Sequence, residues 1–222
     1  MNPWANANMV FVKYCSSDSW FGDAAAGPST FGYAFRGSRI VSTVVAALVA
    51  NNGLGSSGAA ERLLFAGCSA GGRGALTNLD IVAAAVPVNV QVMGLLDAAA
   101  WVDVQPAIPG MLTLQQMTQD LYTFTTPPVP ADCAATYTGA SAWMCVWPSY
   151  RLPYITTPYF MTAAQFDAFQ VRVRVRCNMR VLLTPFPPDH VRHQQPGEQC
   201  VLRDARGADV CAAVPDGDPG AV

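Results

Sequence analysis

Charge is scarce in this sequence. Asp, Glu, Lys and Arg make up 13% of its 222 residues, and the formal net charge is −2. Such a chain carries no basic footprint, which excludes nucleic acid and an anionic membrane surface as expected partners. There is no Cys-x-x-Cys pair, so a structural zinc site is not expected. No apolar run is long enough to span a membrane. The nearest, Ile40 to Ala50, stops at Asn51-Asn52-Gly53. The N-terminus lacks the basic, apolar and small-residue regions of a signal peptide, and there is no Asn-x-Ser/Thr acceptor. Histidine is limited to two positions, His190 and His193.

Apolar residues, by contrast, make up 51% of the chain, which fits one substantial domain with a buried core. Seven cysteines without zinc spacing point to an extracellular protein with one or more disulfides. The odd count leaves a free or intermolecular thiol.

Hydrophobic periodicity places the elements. Met9 to Tyr14 reads as a short strand. Arg36 to Asn51 reads as a helix, with Ile40, Val41, Val44, Val45, Leu48 and Val49 on one face and Gly53 beyond its end. Arg62 to Ala66 is a short apolar run, expected as a buried strand. A helix over 72–85 and a strand over 88–96 follow. Leu112 to Phe124 reads as a helix, Pro127 to Pro130 as a loop and Pro158 to Thr162 as a strand. Alternating strands and helices predict an α/β domain with a parallel sheet. After Gln170 the character changes. Seven arginines fall in this last part, and from Pro185 a Pro-, Gly- and Asp-rich stretch without periodicity predicts disorder. We therefore expect a domain over 1–170 and a divergent, poorly ordered segment over 171–222.

The stretch 65-FAGCSAGGRG-74 allows three chemical readings. A phosphate loop would need Lys and Ser/Thr where Arg73 and Gly74 stand. A dinucleotide loop would need a small residue at Thr77 and an acidic residue ending a strand about twenty residues later. A nucleophile elbow needs a strand before Gly67-Cys68-Ser69-Ala70-Gly71 and a helix after it, and both are predicted here. In that reading Gly67 and Gly71 relieve crowding around a strained Ser69, and the Ala70 N–H points at a developing oxyanion. A plain turn whose serine caps the helix is the competing reading.

Several stretches resemble the pectin acetylesterases and their animal relatives, the Notum-type carboxylesterases. They are 10-VFVKYCSSDSWFGD-23, 35-FRGSRI-40, 67-GCSAGGRGAL-76, 94-GLLDAAAWVD-103, 133-CAATYTGASAWMCVWPSY-150 and 158-PYFMTAAQFDAFQ-170. The resemblance covers about residues 3 to 170. It implies an α/β-hydrolase-like parallel sheet with flanking helices, here incomplete at both ends.

The implied activity is a serine carboxylesterase removing O-acetyl groups from a polysaccharide such as pectin, or, on the Notum side, an acyl group from a lipidated protein. Ser69 matches the nucleophile, Ala70 the oxyanion donor and Asp167 the triad acid; Asp97 and Asp103 remain rival acids. Cys133 and Cys145 match a disulfide. His190 follows Asp167, as the chain order of the triad requires, and is the candidate base. His193 is the other choice, and neither stands in the family's His-Cys pair. The family's glycine-rich oxyanion segment upstream is missing from this chain, and the segment after Gln170 departs from the family pattern. Both departures predict a fragment, and keep open an inactive member that binds a glycan or acyl ligand. The resemblance implies no cofactor and no metal, a monomer, and a secreted or cell-wall location. An unrelated lipase-like hydrolase fits less well, because it would lack the Phe-Arg-Gly and paired-cysteine motifs.

Overall fold

In a computed structural model the described residues are 4–105, 110–164, 167, 170, 202–203 and 209–210. Three parallel strands form the sheet in the order β1 (Glu61–Cys68), β2 (Val90–Asp97), β3 (Tyr159–Thr162). Helices α1 (Gly37–Asn51) and α2 (Ala70–Ala85) pack against each other, and α2 also packs on β1 and β2. Parallel strands need a long crossover, and α2 provides it between β1 and β2.

Val41 and Val45 of α1 meet Leu79 and Val82 of α2 and Val92 of β2 in the main core. Ala75 and Leu76 meet Leu96 and Ala99 toward the C-terminal end of the strands. A separate apolar centre joins Leu114 on α3 (Leu114–Thr125) to Trp143 and Trp147. Trp143 belongs to a 3-10 segment, Gly139–Val146, between α4 (Ala131–Thr136) and α5 (Pro148–Arg151). The Cys133–Cys145 disulfide, fully buried, ties α4 to that segment. Leu202–Arg203 and Asp209–Val210 pair antiparallel as β4 and β5. The remaining residues of the expected disordered segment lie outside the described residues.

Two expectations need correction. Met9 to Tyr14 forms no strand of the sheet: Val12 packs on the core, while Met9 and Phe11 are 74% and 78% exposed. Its apolar pattern is strand-like, but of this segment only Phe11 forms a β-bridge, and among the described residues β1 pairs only with β2. For the same reason β1 is not fully buried. Among the described residues it has no neighbour on its other side, and Leu63, Leu64 and Phe65 are half-buried.

The loop before α1 is organised by Asp18, a fully buried carboxylate. It accepts from the Ser16 hydroxyl (2.5 Å) and from the N–H groups of Trp20 (3.0 Å), Gly22 (3.1 Å) and Gly37 (2.7 Å). Burial pushes its pKa up, against those donors. Gly37 is the glycine of the Phe-Arg-Gly motif, and any Cβ there would collide with the Asp18 carboxylate and the Trp20 backbone. Asn78 on α2 fixes the same loop. Its amide donates to the carbonyls of Trp20 (2.7 Å) and Gly74 (2.8 Å) and accepts from the Ser38 hydroxyl (2.6 Å).

Candidate active site

Ser69 stands between β1 and α2 with φ 56° and ψ −118°, in the positive-φ region that L-residues avoid. Its N–H donates to the Asp97 carbonyl at 2.9 Å, continuing the β1–β2 ladder by one residue. Its carbonyl accepts from Arg73 N–H at 3.0 Å, which begins the helix. Sheet and helix thus hold the backbone at a conformation it would not otherwise choose. The side chain is exposed and makes no capping hydrogen bond, so the helix-cap reading fails. Ala70 is the first residue of α2, where helix geometry leaves the N–H without an intrahelical acceptor, at the positive end of the dipole.

The glycines divide in an unexpected way. A Cβ on Gly67 would overlap the Gly71 carbonyl, and one on Gly72 would overlap the Asp97 carbonyl. A Cβ on Gly74 would strike the Trp20 side chain. One on Gly71 meets nothing within 4 Å. The close approach of helix to strand therefore requires Gly67 and Gly72, and the expectation that Gly71 relieves crowding is corrected.

Across the end of the sheet, Cys68, Asp97 and Thr162 lie in register. Thr162 Oγ1 donates to Asp97 Oδ1 at 2.5 Å, and the Cys68 thiol interacts with the same carboxylate. The threonine first and the thiol second hold the Asp97 carboxyl below its ordinary range. Conversely, the hydrogen bond to Asp97, then burial and the charges of Asp97 and Asp167, push the exposed Cys68 thiol up. Cys68 therefore stays protonated at neutral pH and is a poor rival to the serine beside it.

Asp167 is half-buried and close enough for its charge to act on Cys68. Its oxygens accept from Gln170 N–H (3.1 Å) and Gln170 Nε2 (3.3 Å). Asp103 is exposed and lies against the side-chain amide of Gln115 on α3. Of the three acids, Asp97 and Asp167 sit by the elbow, and Asp97 is committed to tying β2, β3 and Cys68 together. His190 and His193 lie outside the described residues, as does the expected exposed strand over 171–176. Among the described residues no group of His, Cys, Asp and Glu could hold a metal ion.

Sequence reasoning passed over two residues. Arg73 failed as a phosphate-loop lysine, yet it is almost fully buried on α2. Its guanidinium lies 4.2 Å from the Trp101 ring centroid and 5.3 Å from that of Phe21, and donates to the Thr118 hydroxyl at 3.1 Å. Burial pushes its pKa down to about 10. An arginine inside Gly-Arg-Gly-Ala-Leu, with apolar residues at helical spacing, was the available signal. Gln170 gave none, being one glutamine among several polar residues.

The sequence pattern of the pectinacetylesterase family matches residues 1–182. Palmitoleoyl-protein carboxylesterase notum1 of Xenopus laevis is 36% identical over 185 residues, covering 78% of this chain and 36% of the relative. Pectin acetylesterase 11 of Arabidopsis thaliana is 28% identical over 168 residues, covering 75% of this chain and 41% of the relative. The chain thus spans well under half the length of these relatives. Among solved structures, the Wnt deacylase Notum from Drosophila superposes with a TM-score of 0.69 at 29% identity, over 77% of this chain and 50% of that one. The parallel sheet with its flanking helices is therefore part of an α/β-hydrolase fold.

Proposed function

This chain belongs to the pectinacetylesterase family, and on that premise we propose that it carries the nucleophile of a serine carboxylesterase acting by an acyl-enzyme mechanism. The observation that carries the reading is the Ser69 elbow, strained, exposed and uncapped at the end of a parallel strand. Ser69 Oγ attacks the ester carbonyl while a histidine takes its proton. The tetrahedral oxyanion is bound by the Ala70 N–H. The histidine returns the proton to the leaving alcohol as the C–O bond breaks, and water then releases the acid by the same steps. Asp167 orients that histidine, and His190 is the candidate for it.

The substrate we propose is an O-acetylated polysaccharide such as pectin, in an extracellular setting that the Cys133–Cys145 disulfide supports. Among the described residues no helix is long and apolar enough to cross a membrane. A second reading, deacylation of a lipidated protein, is favoured by the higher identity to the palmitoleoyl-protein carboxylesterase than to the plant acetylesterase.

A fluorophosphonate probe tests the site. We expect the folded chain to be labelled and Ser69→Ala to be unlabelled. Folded wild-type chain that takes no probe would instead support an inactive family member. Turnover of p-nitrophenyl acetate against a long-chain acyl ester then separates the two substrates.

A further inference from the structure

We propose that Gln170 is the positioning residue of the site, fixing the Asp167 carboxylate to the loop that leaves β2; this rests on the reading of Asp167 as the triad acid. Gln170 is buried, 9% exposed, and its hydrogen-bonding capacity is used in a directed way. Its side-chain Oε1 accepts from Val102 N–H at 3.1 Å, and its Nε2 donates to the Ala100 carbonyl at 3.3 Å. A carbonyl and the N–H two residues on are the pair of groups that a neighbouring strand would engage. The side-chain amide thus takes the place of a strand beside the loop.

The second Nε2 hydrogen goes to Asp167 Oδ2 (3.3 Å), and the Gln170 backbone N–H goes to Asp167 Oδ1 (3.1 Å). Both carboxylate oxygens are therefore held by one residue, and that residue is held by the loop beyond Asp97, whose carbonyl anchors Ser69. Acid and nucleophile are referred to the same strand end. Carboxylate oxygens accept several bonds, so those from Gln170 do not exclude an imidazole N–H. A misplacement of about 1 Å can cost about 100-fold in rate, which is the reason such a clamp is needed.

The test is the rate of fluorophosphonate labelling of Ser69 in the full chain, in a double-mutant cycle of Asp167→Asn and Gln170→Leu. Gln170→Glu has the same shape but presents an acceptor to Asp167. It keeps the test open if the leucine variant does not fold, as judged by circular dichroism. We expect each Gln170 variant to slow labelling about 10- to 100-fold. In the Asp167→Asn background Gln170→Leu should add less than about threefold, because it acts through the carboxylate. A merely structural role would slow both backgrounds equally, and that result overturns the inference. So does a slow Asp167→Asn beside Gln170 variants as fast as wild type, which leaves the reading of Asp167 standing. Wild-type rates in Asp167→Asn remove Asp167 from the triad, and a folded wild type that takes no label removes the whole site; either outcome also overturns the inference.

Discussion

At the scale of single residues, two nucleophilic side chains lie side by side, and only Ser69 stands on a strained backbone. Ser69 is lifted on a backbone conformation costing of order 1–3 kcal/mol, which the β1–β2 ladder and α2 sustain. Cys68 is just as exposed but is held as a thiol by Asp97. The hydrogen bond and the charge both favour the protonated form, so the thiolate fraction at mildly alkaline pH lies below that of an ordinary cysteine. Removing the charge should release it. We expect Asp97→Asn to speed iodoacetamide alkylation of Cys68 several-fold at about pH 8, read by mass spectrometry of the peptide that contains it. Equal rates in the two proteins would show that Asp97 does not control the thiol. The same variant keeps the Asp97 carbonyl, so the Ser69 N–H retains its acceptor.

At the scale of elements, the elbow depends on how closely α2 approaches β1 and β2. Gly67 and Gly72 have no room for a methyl group, whereas Gly71 faces open space. We expect Gly67→Ala and Gly72→Ala each to cost about 1–3 kcal/mol and to lose Ser69 labelling, since the strain falls on backbone atoms. Gly71→Ala should be neutral or stabilise the helix by up to about 1 kcal/mol, because alanine loses less backbone entropy there. Thermal melts of the three variants check the order, and a Gly71→Ala protein as damaged as Gly67→Ala would refute it. The sequence showed α1, α2, β2 and β3 to within two residues of their observed starts and ends, α1 because its periodicity follows burial on one face and β2 because its run is mostly apolar. It also showed the Ser69 elbow, from a glycine-spaced serine between a strand and a helix. It could not show which glycine is sterically required, since that depends on where Asp97 O arrives from another strand. Nor could it distinguish Met9 to Tyr14 from a true strand, since pairing is a property of two segments and periodicity of one. Gln170 and Asp18 stayed invisible because much of what they hold is backbone, the Val102 N–H and Ala100 carbonyl for one and the N–H groups of Trp20, Gly22 and Gly37 for the other, which has no signature in sequence.

At the scale of the whole molecule, two apolar centres are joined across α2 by two buried arginines pointing in opposite directions. Arg73 leaves α2 for Thr118 on α3 and for Trp101, which packs on the Leu114–Trp143–Trp147 centre. Arg151, at the end of α5, returns to the Thr77 carbonyl on α2 at 3.3 Å. Burial pushes the pKa of both down, and Arg73 pairs with no carboxylate among the described residues. The fall of Arg73 from 12.5 to about 10 corresponds to roughly 3 kcal/mol against its charged form at neutral pH. A desolvated cation–π seat on Trp101 returns about 2 kcal/mol and the Thr118 bond about 1 kcal/mol. The charge is then close to neutral for stability, and the aliphatic stem supplies the packing. Arg73→Met keeps a side chain of similar length and removes the burial penalty along with the two gains. Thr118 is not orphaned by this change, because its hydroxyl already donates to the Leu114 carbonyl at 2.8 Å. We expect Arg73→Met to alter stability by less than about 1 kcal/mol, a shift of only a few degrees in Tm for a chain of this size. Arg73→Ala, which empties the space between Phe21 and Trp101, should cost about 2–5 kcal/mol. Equal destabilisation in the two variants would mean that the guanidinium, not the stem, holds the two centres together.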